Sequence, residues 1–263
     1  MTKIRRVLLV LLGLAVLSGP MRHLMSAVLP DAAVAPGMNC IAGMLASLLL
    51  LGLPAGLLRP WRSERLPRQK GKGLSLLLAA AAALMTRAAM TPVDAAWQQA
   101  FDLTPAAMPV PDSIPMAMLY LAAMIVVPAL TEEAFFRGAL LTGLLDGSWR
   151  ISAVVITVLS FALMHGRLAN LPSLLVLSVL LTLLMLCTGQ IAVPMAAHLI
   201  YNLTALSGGS IPGWGSILCG AGLIGLGASM YIRQPKYAHP PMQKADGLIA
   251  AAAIAALILS YMI

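Results

Sequence analysis

The chain has 263 residues, of which 60% are hydrophobic and only 10% charged, with a mean hydropathy of +0.91 and a formal net charge of +8. Soluble domains carry about 25% charged residues, so the composition excludes a water-soluble globule, and the positive charge reads as membrane topology rather than nucleic-acid binding. Cys40, Cys187 and Cys219 lie in or beside apolar segments with no CxxC spacing, which leaves no disulfide framework or zinc-finger pattern.

Apolar runs of about 20 residues suit membrane-crossing helices, because in lipid each span has to satisfy its own backbone hydrogen bonds. The alternating pattern of a β-barrel is missing. The expected fold is therefore all-α, one polytopic transmembrane helical bundle occupying 1–263. Eight or nine spans are expected, at about 7–28, 38–58, 74–93, 116–145, 151–168, 171–188, 191–207, 214–232 and 247–263. The first opens with Lys3, Arg5 and Arg6 like a signal peptide, but Pro20 stands where cleavage would fall, so an uncleaved helix is expected.

The basic residues orient the bundle. With the N-terminus in the cytoplasm, inner segments hold Lys3, Arg5, Arg6, Arg59, Arg62, Arg65, Arg68, Lys70, Lys72, Arg150, Arg233, Lys236 and Lys244. That is 13 of the 17 basic side chains, against Arg22 and Arg167 outside and Arg87 and Arg137 within spans. This one-sidedness follows the positive-inside rule. The basic run 59–73 reads as a solvated loop at lipid headgroups. The stretch 94–115 has Asp94, Asp102 and Asp112 but no Lys or Arg, and reads as an outer segment lying along the membrane or covering the bundle. The small-residue spacings Ala221-x-x-x-Gly225-x-x-x-Ser229 and Gly247-x-x-x-Ala251-x-x-x-Ala255 suit close helix packing.

Ionisable side chains inside lipid are costly and by default functional. They concentrate in one region of 115–207: Glu132-Glu133 with Arg137, Phe161-x-x-x-His165, and His198-x-x-x-Asn202. The turn Asp146-Gly147-Ser148-Trp149 lies about 16 residues from both Glu132 and His165. In an antiparallel helical hairpin rising ~1.5 Å per residue, the two therefore reach one depth. Residues four apart share a helix face, so Glu133 pairs with Arg137 in the favourable acid-first order. Glu132 points about 100° away, free for another partner, and His198 in mid-span can meet it. Pro128 has no amide for the Met124 carbonyl, so an opened turn is expected just before Glu132. Phe161 is expected to pack against the site. Arg87, alone among alanines, is left between counter-ion and snorkelling cation.

These motifs, Glu-Glu-x-x-x-Arg, Phe-x-x-x-His and His-x-x-x-Asn in that order on successive membrane helices, resemble the CPBP family. It comprises type II CAAX prenyl proteases, bacteriocin-processing peptidases and abortive-infection proteins. The resemblance covers 132–202, 71 of 263 residues. It implies an intramembrane endopeptidase acting on a peptide or protein substrate in the lipid bilayer. Glu132 and His165 would activate water, His198 and Asn202 would stabilise the oxyanion, and Glu133 and Arg137 would hold the first carboxylate. No metal or other cofactor is expected, since HExxH is absent. The alternative is zinc held by Glu132, His165 and His198, whose donor types permit it. No motif identifies a prenyl-binding groove. The short loops suit a multi-pass protein of the bacterial inner membrane.

Two other classes compete with the peptidase. A proton-coupled transporter could use Glu132, His165 and His198 as a relay, but should show repeat symmetry with polar residues in both halves. A non-catalytic peptide-binding or immunity scaffold would have little reason to carry the complete constellation.

Overall fold

The computed structural model describes residues 2–29, 36–58, 66–67, 73–105, 110–146, 150–205, 215–222, 225 and 242–260, and the regular elements among them are helical. In chain order they are α1 (Lys3–Val28), α2 (Pro36–Leu58), α3 (Gly73–Ala100), α4 (Ile114–Leu145), α5 (Arg150–Met164), α6 (Leu171–Thr188), α7 (Ala192–Ala205) and α8 (Lys244–Leu259). Among the described residues, five stretches are long and apolar enough to cross a membrane: Lys3–Met25, Pro36–Leu58, Ser75–Ala100, Ile114–Leu145 and Leu168–Thr188. Arg150–Met164 is a shorter apolar helix. The protein is a multi-pass helical membrane bundle.

Of the expected span at 214–232, positions 215–222 and 225 are helical and the remainder lies outside the described residues. Also outside them are Arg59, Arg62, Arg65, Arg68, Lys70, Lys72, Arg233, Lys236, Gly147, Ser148 and Trp149.

The second half of α4 is the axis of the bundle. Every residue from Ala134 to Leu145 is buried, as expected of a helix apolar all round. Phe135, Phe136, Leu140 and Leu141 meet Phe161 of α5, Leu177 and Leu181 of α6 and Ala197 of α7 in one core. Leu17, Leu49, Leu57, Leu77, Ile151 and Leu248 are exposed on the periphery, where lipid takes the place of water.

α1 runs unbroken through Pro20 and packs along α8. At one end Arg5 Nε binds Asp246 Oδ1 at 3.0 Å and Lys3 Nζ binds Asp146 Oδ2 at 3.2 Å. At the other, Arg22 donates to the Ser260 carbonyl. The packing stripe on α8 is Asp246, Ala250, Ala253 and Leu257. This corrects the expected stripe: Ala251 and Ala255 are exposed, while Asp246 at one end of the buried stripe is held to α1 by its ion pair with Arg5.

Two π-helical segments, Leu48–Gly52 in α2 and Leu121–Val126 in α4, each end two residues before a proline, Pro54 and Pro128. The missing amide frees a carbonyl one turn earlier and lets the helix widen. The opened turn expected near Pro128 is therefore a π segment within a continuous helix. A third, Ala134–Leu141, follows the glutamate pair with no proline to cause it.

The stretch 94–115 needs correction. Helix α3 continues to Ala100, and Asp94 is buried, accepting the Ser173 amide at 3.1 Å near the start of α6. Capping an otherwise unbonded helix amide keeps this carboxylate inside the bundle rather than on its surface.

Candidate active site

Helices α4, α5 and α7 bring the three motifs together. Glu132 Oε2 lies 3.4 Å from His165 Nε2 and 3.9 Å from His198 Nε2. Glu132, His165, His198 and Asn202 line one cavity of about 680 Å³. Phe161 is fully buried beneath them and Phe136 packs on its edge.

The other glutamate serves the same histidine from behind. Glu133 Oε1 accepts from Arg137 at 2.8 Å and from His198 Nδ1 at 2.9 Å. The carboxylates thus point differently, as their spacing requires, yet engage opposite edges of one imidazole. Arg137 is fully buried. It also donates to the Ser178 hydroxyl at 2.9 Å and carbonyl at 3.1 Å, and stacks over Phe161 with its guanidinium carbon 4.4 Å from the ring centre. A guanidinium with its donors placed this way is an anchor for a buried carboxylate.

The backbone fixes the second imidazole. His165 Nδ1 sits 2.8 Å from the Phe161 carbonyl, which can only accept, so that nitrogen carries hydrogen and Nε2 turns to Glu132. The Phe161 ring lies 4.7 Å from the His165 ring and 5.7 Å from the His198 ring, centre to centre. The loop after His165 is pinned to the end of α3, where Trp97 Nε1 and Gln98 Nε2 donate to the Leu168 and Ala169 carbonyls, both at 2.9 Å.

Each histidine therefore directs Nε2 at the same carboxylate oxygen, and Glu132 Oε2 makes no hydrogen bond among the described residues. That oxygen and two imidazole nitrogens face one small volume: two bases and an acceptor beside an amide. Among the described residues, no group of three His, Cys, Asp or Glu side chains is arranged to hold a metal ion.

Sequence reasoning missed Ser178, Tyr201 and the Glu133–His198 bond. Ser178 had a faint signal, a hydroxyl in the leucine run 171–188 about one turn from Thr182. Tyr201 is buried and borders the cavity next to Asn202.

A family model described as Type II CAAX prenyl endopeptidase Rce1-like matches residues 114–204, which contain all three motifs. No curated protein and no solved structure matches the chain. The match spans about a third of the chain and makes residues 114–204 similar to the Rce1-like type II CAAX prenyl endopeptidases, which supports the likeness to the CPBP family.

Proposed function

We propose that the protein is a membrane-embedded endopeptidase that hydrolyses a peptide bond with a Glu/His-activated water and no metal. The observation that carries this reading is the facing of Glu132 Oε2 by both Nε2 atoms, at 3.4 and 3.9 Å, on the wall of the cavity that Asn202 also lines.

A water between Glu132 and His165 would donate its hydrogens to these acceptors and attack the substrate carbonyl as a new C–O bond forms. Glu132 takes one proton and passes it to the amide nitrogen, so that the C–N bond breaks with a neutral amine leaving. The Asn202 amide is an oxyanion donor suited to the tetrahedral intermediate. A neutral His198, with its hydrogen on Nδ1 towards Glu133, offers only a lone pair at Nε2. To donate to the oxyanion it needs a hydrogen on Nε2 as well, while Glu133 holds the Nδ1 hydrogen and the ring orientation. Glu133 and Arg137 thus act on His198 as well as on the packing around Glu132.

The substrate class is a peptide or protein in or at the membrane. The basic-residue distribution supports a cytoplasmic N-terminus, and the short loops suit a bacterial inner membrane. The decisive experiment compares the termini of membrane peptides from cells carrying the parent protein or Glu132→Gln. New termini that depend on Glu132 identify the substrate. Indistinguishable sets, with the protein present at equal levels, would reject the peptidase.

A further inference from the structure

Arg87 sits in mid-α3 among alanines and is partly buried. Its guanidinium carbon lies 5.7 Å from the centre of the Tyr201 ring, and its side chain lines the cavity that holds Glu132, His165, His198 and Asn202. Of the other arginines on this cavity, Arg22 is bound to the Ser260 carbonyl and Arg167 is exposed at its rim, while Arg137 is engaged by Glu133 and Ser178. Asp94, two turns along the Arg87 face, holds the Ser173 amide and makes no direct ion pair with Arg87, although the two charges are near enough to attract. Among the described residues the Arg87 guanidinium has no hydrogen-bond or ion-pair partner, since the Thr91 hydroxyl bonds only its backbone carbonyl.

A cation kept inside an apolar helix without a direct ion-pair or hydrogen-bond partner is costly, and its free fork of donors matches a carboxylate. The face of Tyr201 supports the cation without neutralising it. Tyr201 is the residue before Asn202 and one turn beyond His198, so the cation and the reactive groups are registered by one helix. We propose that Arg87 is a specificity residue that binds a carboxylate of the substrate close to the bond cleaved. The carboxylate comes from a free C-terminus or from an Asp or Glu side chain. This rests on the peptidase reading of the same cavity.

The test uses the full-length Glu132→Gln protein in neutral detergent, which should bind without cleaving. The probe is one fluorescently labelled apolar peptide in three forms: C-terminal acid, C-terminal amide, and amide with one internal Asp. At least one acidic form should bind about tenfold or more tightly than the plain amide, as a charge-assisted bidentate contact implies, and which form wins identifies the source. Arg87→Met should erase the difference and Arg87→Lys should retain part of it. If Arg87→Met does not fold, Arg87→Gln makes the same comparison. Equal binding of the three peptides, binding of none, or discrimination that survives loss of Arg87 overturns the proposal. Displacement of no peptide form but saturable binding of phosphatidylglycerol would make Arg87 a lipid-headgroup site and also overturn it. Cleavage by the Glu132 parent without discrimination removes only the anchor, whereas discrimination without cleavage removes the peptidase and leaves the anchor standing.

Discussion

Glu133 Oε1 and His198 Nδ1 are joined at 2.9 Å across 65 positions of chain, and this bond decides which imidazole nitrogen faces Glu132. The same oxygen accepts from Arg137, so one fully buried carboxylate orients the His198 imidazole and neutralises an arginine at once.

Glu133→Gln removes the charge and leaves Arg137 buried and uncompensated. Breaking a buried pair on one side costs about 3–5 kcal/mol, so the thermal unfolding midpoint in detergent should fall clearly. In the folded fraction, turnover should drop while substrate binding changes little, because the substituted residue touches His198 and not the substrate. Parent-like stability and turnover would show that the triad of Glu133, Arg137 and His198 is dispensable.

Glu132→Gln is expected to behave in the opposite way. Among the described residues its carboxylate makes ion-pair contacts only with the two imidazoles, so the fold should hold. Loss of the general base should lower cleavage by at least ~10²–10⁴-fold. A folded Glu132→Gln protein with parent-like cleavage would move the base elsewhere.

Asn202→Ala deletes an amide from the cavity wall one turn beyond His198. Removing one oxyanion donor costs roughly 10²–10³ in turnover, and KM should stay near that of the parent. A change confined to KM would place Asn202 in ground-state binding instead.

Much of the site was legible because helical spacing and a hairpin fix depth and face without tertiary knowledge. Glu132 opposite His165, and Glu133 one turn before Arg137, followed from counting residues. The Glu133–His198 bond was not legible, since it depends on how α7 rotates against α4, and two π segments in α4 shift that rotation away from ideal spacing. Asp94 misled for a related reason. An acidic residue near a span end reads as solvated, and only the approach of the α6 start shows what it caps. The α8 stripe failed because small residues recur on neighbouring faces of an Ala-rich helix, and the large side chains they meet select one of them.

Gly189 ends α6 in the left-handed region, at φ 64° and ψ 13°, with its amide on the Met185 carbonyl at 2.8 Å. A Cβ there would also run into the Pro67 carbonyl. Gly189→Ala should therefore destabilise the protein by more than the ~1–3 kcal/mol of a strained backbone position, read as a lower unfolding midpoint. An unchanged midpoint would mean that the 66–67 segment moves aside freely.

Metal removal separates the two chemistries that the residue types permit. Zinc sites place their protein donors about 2.0–2.2 Å from the ion. Here the same donors are arranged around a volume that the proposed mechanism fills with water, and His198 needs its Nε2 hydrogen to serve the oxyanion. Protein purified and dialysed against chelator should keep full activity on the identified substrate, and added zinc should inhibit by binding the His165 Nε2 lone pair and the Glu132 carboxylate. Loss of activity on chelation with recovery on zinc would convert Glu132, His165 and His198 from a water-activating group into a ligand set. In that case His165→Ala should lower zinc stoichiometry as well as rate, whereas the metal-free mechanism requires a loss of rate alone.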